Sequence, residues 1–317
     1  MNNPILFWGT PEFALLSLEG LLKGGFRVVG VITNPDEPAG RKQILTPPPV
    51  KVFAQKHDIP VYQPENLKNF PQRELPEADL YVVAAYGKII PKDILEKPRY
   101  GVLNIHPSLL PRWRGPSPIQ YTILSGDSEA GVTIMQMDEL MDHGPILAQQ
   151  VISNAQFPIS KVTYRELHDK LANLGAELLM ETLPKYIRGE IMPIPQDDFR
   201  ATFSKLLKRD DGRIDWKRPA EEIDRMIRAF NPWPGAWTLA PAKDKIYRVK
   251  IEEGEDTEAE PPTGSPGFLW QQDARTLLVK TGQGSICIRR ITLEGKKPLD
   301  GAAFLSGYSH LVNTTFV

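Results

Sequence analysis

The sequence predicts an α/β domain built on a mostly parallel sheet, followed by a smaller domain made of short strands. Strand and helix patterns alternate through the first half of the chain, which is typical of a parallel sheet wrapped by helices. The helical pattern ends near residue 188, and the later apolar runs are short and separated by Gly-rich turns. The length of 317 residues fits two domains of ordinary size.

The first strand is predicted at residues 5–8, and a helix follows in which Thr10 is the expected N-cap and Pro11 the first helical residue. Gly24-Gly25 is predicted to end that helix, because glycine readily adopts the backbone conformation found there. The remaining elements are strands at residues 28–32, 81–85, 102–105, 132–137 and 147–152, and a long amphipathic helix from about 164 to 187. Together these elements assign the first domain to residues 1–188.

A linker is predicted at residues 189–203, where Pro193 and Pro195 interrupt any regular pattern. The second domain, residues 204–317, opens with a charged stretch and a helix at 219–230. Short strands are predicted at 247–251, 277–280 and 286–288. Their Gly-rich connections are typical of a small β-barrel or sandwich.

Composition excludes several classes of protein. Apolar residues make up 41% of the chain, which is enough to build cores and excludes a disordered protein. Cys287 is the single cysteine, so no disulfide framework can form, and we expect a cytoplasmic protein. We see no signal peptide at the N-terminus, and no apolar run of about 18 residues that would predict a membrane span.

Charge is distributed unevenly along the chain, whose formal net charge is −1. Residues 204–317 contain 18 Lys and Arg against 16 Asp and Glu, and six of those acids lie between Glu252 and Glu260. The second domain is therefore basic outside one acidic loop. Charge alone favours an ordinary solvated surface, so the basic region does not by itself predict a nucleic-acid partner.

Asn104 and His106 lie two residues apart on a predicted strand and therefore share one face of the sheet. They are near the carboxyl end of that strand, which is the edge where open α/β sheets bind ligands. An amide and an imidazole at a strand end are more often structural than catalytic. The pair becomes a candidate active site only if a carboxylate joins it.

Asp142 is the candidate carboxylate, in a turn that follows a later strand. Spacing alone leaves that choice open, because the turn contains three further ionisable residues, Asp138, Glu139 and His143. A dinucleotide cofactor is not expected, because the G-x-G-x-x-G pattern is missing around Gly9.

Residues 104–120 read NIHPSLLPRWRGPSPIQ and resemble the signature of the folate-dependent formyltransferases. Five further segments resemble the branch of that family that acts on methionyl-tRNA: FWGTPEFA at 7–14, PAGR at 38–41, VVAAYGKIIP at 82–91, RIDW at 213–216 and IRAFNPWPGAW at 227–237. The resemblance covers nearly the whole chain. The last two segments lie in the second domain, which the other branches lack or replace, so they indicate the acceptor substrate.

The resemblance implies catalytic roles for Asn104, His106 and Asp142, the last in an aspartate-x-glycine turn that ends at Gly144. Asn104 and His106 would hold the oxyanion that forms as an amine attacks the formyl carbonyl, and Asp142 would accept the proton of the amine. This chemistry requires no metal. The family usually has a small or uncharged residue before the glycine, whereas this chain has His143, which we interpret as a neighbour of the site.

The resemblance also implies substrates and their contacts. The formyl donor would be 10-formyltetrahydrofolate, and the acceptor would be methionyl-initiator tRNA. Folate contacts are expected from two segments, Val83, Ala84, Ala85 and Tyr86, and Ser108, Leu109, Leu110 and Pro111. Arg41 and Lys42, in a long Pro-rich loop, are expected to contact the acceptor stem. The family further implies a Rossmann-like catalytic domain, a C-terminal barrel resembling an oligonucleotide-binding fold, and a monomer without a membrane partner.

Three other functions stay open. A formyltransferase acting on a sugar nucleotide or another small amine is opposed by the RIDW and FNPWP segments. A tRNA-binding protein without activity is opposed by the intact trio of Asn104, His106 and Asp142. A nucleotide-dependent dehydrogenase is opposed by the missing glycine pattern.

Overall fold

The apolar runs of the N-terminal half form one sheet whose central strands are buried on both faces. The structure is a computed structural model that describes residues 3–40, 43–242, 245–261 and 263–317. The described residues form two compact units. The first is drawn from Met1–Pro118, Glu129–Phe157 and Glu166–Lys205, and the second from Ile119–Ser128, Pro158–Arg165 and Leu206–Val317.

The strands of the first unit alternate with helices, as the sequence predicts. In chain order its strands are β1 (Ile5–Gly9), β2 (Val28–Ile32), β3 (Glu37–Ala39), β4 (Ile44–Thr46), β5 (Val61–Tyr62), β6 (Leu80–Ala84), β7 (Val102–His106), β8 (Glu129–Gln136) and β9 (Ile146–Ser153). The helices of the described chain are α1 (Glu12–Lys23), α2 (Pro49–Lys56), α3 (Lys92–Leu95), α4 (Pro118–Leu124), α5 (Tyr164–Ile187), α6 (Ala220–Phe230) and α7 (Gly301–Gly307).

Seven of these strands form a sheet in the order β5-β2-β1-β6-β7-β8-β9. The first five run parallel, whereas β8 and β9 are added antiparallel at one edge. Every residue of β1, β6 and β7 is buried, as expected for parallel strands that are covered on both faces. The predicted α/β domain with a mostly parallel sheet is confirmed, and the carboxyl ends of β1, β6 and β7 meet at one edge.

The start of α1 differs from its prediction by one residue. Pro11, not Thr10, is the N-cap, and it has the extended backbone of that position. The Thr10 hydroxyl instead donates to the carbonyl of Tyr86 at 3.4 Å and accepts from the backbone N–H of Asn34 at 3.4 Å. Thr10 therefore joins loops that follow three parallel strands, a tertiary role that local capping rules do not include. The end of α1 is as predicted, with Gly24 as its C-cap.

The second unit is an antiparallel sheet packed around its own apolar core. Its strands are β10 (Ala236–Ala242), β11 (Lys245–Thr257), β12 (Leu269–Gln271), β13 (Leu277–Lys280), β14 (Ser285–Leu293) and β15 (Leu299–Asp300). They pair in the order β10-β11-β14-β13-β12, with β15 beside β14. Helix α6 buries Ile223 and Ile227 in the core of this sheet. The predicted small β domain is confirmed.

The C-terminal tail joins both edges of this sheet. Leu269 on β12 exchanges backbone hydrogen bonds with Asn313 and Thr314, at 2.7 and 2.8 Å. Leu239 on β10 exchanges two with Val317, at 3.0 and 2.9 Å. Edge strands otherwise present unpaired backbone groups, so the tail satisfies groups on both outer strands at once.

The two units are divided differently from the predicted domains. Residues 119–128 and 158–165 of the N-terminal half belong to the second unit, where Arg225 donates to the carbonyl of Leu124 at 3.2 Å and Arg228 donates to that of Val162 at 3.0 Å. Residues 189–203, predicted as a linker, belong to the first unit.

The tail is expected to contribute to stability through Phe316, whose side chain is 2% exposed and lies 6.1 Å from the Trp216 ring. Replacing a buried Phe with Ala typically costs about 3–5 kcal/mol, through lost apolar burial and the cavity left behind. We therefore expect Phe316→Ala to lower the free energy of unfolding by that amount in urea denaturation. Val317→Ala, at a side chain that is 50% exposed, is the matched control. Equal losses in the two variants would contradict this role of the tail.

Candidate active site

The carboxyl end of β7 places Asn104 and His106 in a buried position on one face of the sheet. Asn104 pairs with Val83 on β6 and with Met135 on β8, so neighbours on both sides fix its backbone. The side chains are nearly enclosed, with Asn104 8% and His106 4% exposed. Buried polar groups of this kind need partners, because an unsatisfied one costs stability.

Asp142 supplies the expected carboxylate. Its Oδ1 lies 3.4 Å from Nδ2 of Asn104 and 3.6 Å from Nδ1 of His106. Its Oδ2 accepts a hydrogen bond of 2.8 Å from the backbone N–H of Gly115. The structure thus brings together the three residues named from the sequence, although Asp142 is 36 residues from His106 in the chain.

The hydrogen bonds of His106 define which ring nitrogen faces Asp142. Nε2 lies 3.0 Å from the carbonyl oxygen of Trp113. A carbonyl oxygen only accepts, so Nε2 must carry a hydrogen and donate it. Nδ1 is consequently the nitrogen turned toward the Asp142 carboxylate, and it is the position through which His106 can exchange a proton at this site.

Three residues without the freedom of glycine adopt the left-handed backbone region beside this site. Their φ angles are +47° at Ala85, +59° at Trp113 and +48° at Asp142. This region costs an L-residue on the order of 1–2 kcal/mol and persists only where the surroundings determine it. Position 144 accepts only glycine, because a Cβ there would lie 1.9 Å from the carbonyl oxygen of Gln136.

The segment predicted as a linker packs against the loop that follows β7. Thr202 accepts from the backbone N–H of Trp113 through its hydroxyl at 2.9 Å, and from the N–H of Arg114 through its carbonyl at 2.9 Å. The hydroxyl of Ser204, the first residue of the predicted second domain, accepts from the N–H of Ser117 at 3.0 Å. Sequence reasoning missed these residues, because two prolines and a lack of periodicity carry no signal of tertiary contact.

Gln196, in the same segment, contacts the turn that carries Asp142. Its amide nitrogen donates to the backbone carbonyls of Asp142 and Gly144 at 2.9 and 2.8 Å. Its amide oxygen accepts from Nε of Arg114 at 3.0 Å, and Arg114 also donates to Asp198 at 2.7 Å. Arg114 lies within the formyltransferase signature at 104–120, but the sequence did not predict that this arginine is buried, with only 4% of its surface exposed.

His143 is paired with acids on both sides of its ring. Nδ1 lies 2.6 Å from Asp138 and Nε2 lies 3.5 Å from Asp198. The hydrogen bond with Asp138 raises the pKa of His143 above its ordinary value, and the hydrogen bond from Arg114 lowers the pKa of Asp198. The ring therefore spans acids of the turn and of the neighbouring segment, and neither contact reaches Asn104 or His106.

The residues Val83, Ala84, Ala85 and Tyr86 lie at the end of β6 and in the turn that follows. Val83 and Ala84 are buried, whereas Ala85 is exposed. The Tyr86 ring packs edge-on against Trp8 at 5.2 Å, and burial raises the pKa of Tyr86 to about 12. Ala85 is therefore the member of this segment whose side chain is open to a ligand.

The loop Ser108–Pro111 is held at its backbone by side chains of β8 and β9. The Thr133 hydroxyl donates to the Ser108 carbonyl at 2.7 Å and accepts from the Leu110 N–H at 3.1 Å. Gln149 donates to the Leu110 carbonyl at 2.8 Å. The Leu110-Pro111 peptide bond is cis. These internal bonds fix the loop and occupy polar groups of Ser108 and Leu110.

Arg41 and Lys42 lie outside the residues that the structure describes, so their predicted contact with the acceptor stem stays a prediction. The strands that flank them, β3 and β4, form an antiparallel hairpin. Ile44 and Leu45 on this hairpin are 62% and 63% exposed.

A cavity of about 690 Å³ lies beside α3 and the loop that precedes Asp142. Its lining includes Gln136, Met137 and Asp138 but none of the residues predicted to be catalytic or to contact folate. Among the described residues, no group of three or more His, Cys, Asp or Glu side chains is placed to hold a metal ion. In the same part of the chain, no helix is both long and apolar enough to cross a membrane.

Two family models match the chain and together cover most of it. The formyl transferase model matches residues 2–183, and the model of the formyl transferase C-terminal domain matches residues 206–309. The methionyl-tRNA formyltransferase of Chloroflexus aurantiacus is 44% identical over 308 residues, or 96% of each chain. That of Synechococcus sp. (strain JA-3-3Ab) is 46% identical over 312 residues, or 96% of this chain and 95% of the relative.

Solved structures share the fold at lower identity. An N-formyltransferase from Helicobacter canadensis, in complex with folinic acid and dTDP-3-aminofucose, has a TM-score of 0.64 at 20% identity and covers 91% of this chain and 99% of its own. HypX from Aquifex aeolicus, in complex with tetrahydrofolic acid, has a TM-score of 0.62 at 19% identity. The match covers 98% of this chain but 48% of HypX, so this chain spans about half the length of that protein.

Proposed function

The chain belongs to the formyl transferase family, and we propose that it transfers the formyl group of 10-formyltetrahydrofolate to the amino group of the methionine carried by initiator tRNA. The observation that carries this proposal is identity above 40% along nearly the whole chain with proteins named methionyl-tRNA formyltransferase. That similarity includes the second domain, which chemistry at the first domain does not require. A cytoplasmic location and a monomeric state are part of the same proposal.

The proposed reaction needs a base and an oxyanion site but no covalent intermediate. The amine nitrogen bonds to the formyl carbon, the bond from that carbon to the folate nitrogen breaks, and a proton moves from the amine to the folate nitrogen. Asp142 is the proposed acceptor of the amine proton, directly or through a water molecule. Its Oδ2 is oriented by the Gly115 N–H at 2.8 Å, which leaves Oδ1 on the side of Asn104 and His106.

Asn104 and His106 are the proposed donors to the oxyanion that develops on the formyl oxygen. The amide of Asn104 makes a long contact of 3.4 Å with Asp142, so its hydrogen can turn to a developing charge at small cost. His106 is held through Nε2 by Trp113 and presents Nδ1 to the site, 3.6 Å from Asp142. A proton on Nδ1 can therefore be directed at the oxyanion or passed to the leaving nitrogen.

The formyl donor is proposed to bind at the carboxyl edge of the parallel strands, along the two segments Val83–Tyr86 and Ser108–Pro111. Open α/β sheets bind ligands at this edge. Because the polar groups of Ser108 and Leu110 are engaged inside the protein, the second segment would offer a fixed surface rather than a flexible clamp. Arg41 and Lys42 remain the proposed contacts of the acceptor stem.

The second unit presents a basic aromatic surface that fits the body of a tRNA. Register places Trp237, Arg248 and Lys250 on the same outer face of β10 and β11. The Arg248 guanidinium lies 3.7 Å from the Trp237 ring centroid, and that of Arg213 lies 5.9 Å from it. Burial first, and then the nearby charge of Arg209, lower the pKa of Arg248, as expected where cations are crowded. Phosphate groups would relieve that crowding.

The function is tested by incubating the protein with formyl-tetrahydrofolate and either methionyl-initiator tRNA or an amino-sugar nucleotide. We expect formylmethionyl-tRNA to form and the sugar nucleotide to stay unmodified. Formylation of the sugar nucleotide alone would instead support the rival acceptor. Binding of tRNA without formyl transfer to either acceptor would support a binding protein.

Asp142→Asn is expected to lower kcat by about 10²–10⁴-fold, because the amide keeps the size of the carboxylate but is not a base. Asn104→Ala removes an oxyanion donor and should lower kcat by about 10²–10³-fold. His143→Gln is the control in the same turn, and full activity in Asp142→Asn with loss in His143→Gln would reverse the assignment.

The double variant Arg213→Ala, Arg248→Ala is expected to weaken tRNA binding without changing kcat at saturating tRNA. Loss of two phosphate contacts should flatten the dependence of log K on log salt by roughly 2, since each contact adds about 0.9 to the slope. Filter binding at several salt concentrations measures this slope. The control is Arg218→Ala, an exposed arginine paired with Glu222 at 3.3 Å. An unchanged slope in the double variant would remove this surface from the tRNA interface.

A further inference from the structure

A closed ring of hydrogen bonds surrounds the turn that carries Asp142. Gln196 donates to the carbonyls of Asp142 and Gly144, and it accepts from the guanidinium of Arg114. Gly115, the residue after Arg114, donates its backbone N–H to the Asp142 carboxylate. The turn is therefore held at its backbone by Gln196 and at its side chain by Gly115, and Arg114 links the two.

We propose that Gln196 is a positioning residue for Asp142, with Arg114 as the group that orients Gln196. The inference rests on the proposed role of Asp142 as the proton acceptor. Gln196 contributes no group to the reacting atoms in this scheme. It fixes the direction of the carboxylate toward Asn104 and His106.

The turn needs hydrogen bonds from Gln196 because its backbone conformation is energetically unfavourable. Asp142 has a φ of +48°, which an L-residue adopts at a cost on the order of 1–2 kcal/mol. Two backbone carbonyls, those of Asp142 and Gly144, point toward the same side of the turn, where the Gln196 amide nitrogen meets both at 2.9 and 2.8 Å. One side-chain NH₂ group can satisfy two such acceptors, since it has two hydrogens.

The orientation of the Gln196 amide is defined by its third hydrogen bond. Nε of Arg114 donates to Oε1 at 3.0 Å, so the amide nitrogen must face the turn. Arg114 is itself fixed, because its side chain is 4% exposed and donates to Asp198 at 2.7 Å. Its backbone is also held by Thr202 and Ser204, at 2.9 and 2.7 Å. A displaced Gln196 would therefore lose three bonds together.

The neighbours of Gln196 show that this contact is specific to one side chain. Pro195 and Asp197 are exposed on either side of it, and Met192 is 79% exposed. The segment thus contributes little apolar burial here. Besides the His143–Asp198 contact of 3.5 Å, the hydrogen bonds that it makes to the turn's backbone carbonyls come from the Gln196 amide. A role in filling space would tolerate any side chain of the same size, whereas a positioning role requires the two hydrogens.

Gln196→Glu separates these roles, because it keeps the size and the partner Arg114 but places an acceptor against two carbonyls. We expect Gln196→Glu and Gln196→Ala to lower kcat for formylmethionyl-tRNA synthesis by about 10- to 100-fold, as displacement of a reacting group by about 1 Å does. KM for the folate should change by less than about threefold, so that the loss falls on kcat. Met192→Ala is the control and should match the wild type.

A second readout is independent of activity. The ¹³C carboxyl resonance of Asp142, assigned by its loss in Asp142→Asn, should move in Gln196→Glu and stay in place in Met192→Ala. Wild-type kcat and an unmoved resonance in Gln196→Glu would overturn the inference while leaving the proposed function intact. If the wild type formylates no methionyl-tRNA, the proposed function fails, and the resonance alone decides whether Gln196 positions Asp142. If Gln196→Ala does not fold, Gln196→Glu still gives both readouts.

Discussion

The carboxylate of Asp142 is the group on which the geometry of the first unit depends. It is met from one side by Asn104 and His106 and from the other by the N–H of Gly115. These partners come from a buried strand and from the loop after it, and the turn itself is held by Gln196 from a fourth segment. A carboxylate is strongly solvated in water, so its enclosure requires charge-assisted bonds from donors already in place.

The conformational strain around Asp142 lies in the backbone. Ala85, Trp113 and Asp142 adopt left-handed conformations within the loops that follow β6, β7 and β8. Each costs on the order of 1–2 kcal/mol, so all three persist because the surrounding contacts offset that cost. At Trp113 the carbonyl accepts from His106 while the N–H donates to Thr202. Strain in the loop and orientation of the imidazole are therefore consequences of the same contacts.

The second unit has a different physical basis. Its core is formed by alternate residues of an antiparallel sheet, together with α6 and the C-terminal tail. The outer face of the same strands is then free for another purpose, since alternate residues point away from the core. Trp237 and Arg248 occupy that face, with the Arg248 guanidinium 3.7 Å from the centroid of the Trp237 ring. Phosphate contacts of the kind proposed for this surface do not read sequence, so the surface is proposed to add affinity rather than selectivity.

How much could be derived from the sequence differs between the elements and their contacts. Apolar runs predicted the central strands of both units, because burial on two faces of a sheet leaves a continuous apolar pattern, but they did not predict short or edge strands such as β5, β10 and β12. Period-two spacing placed Asn104 and His106 on one face, and the resemblance to formyltransferases identified Asp142 among four ionisable residues of its turn. Only the structure showed that Thr10 joins loops rather than capping a helix.

The sequence by itself determined the fold class and the family and predicted which side chains react, because these follow from local periodicity and from motifs of adjacent residues. Only the tertiary structure decided how those side chains are held. Gln196 lies 54 residues from Asp142 and 82 from Arg114, and no local pattern encodes bonds across such distances. A Pro-rich segment has the same appearance in sequence whether it crosses solvent or an active site. Its carbonyls and side chains acquire partners only when the chain folds.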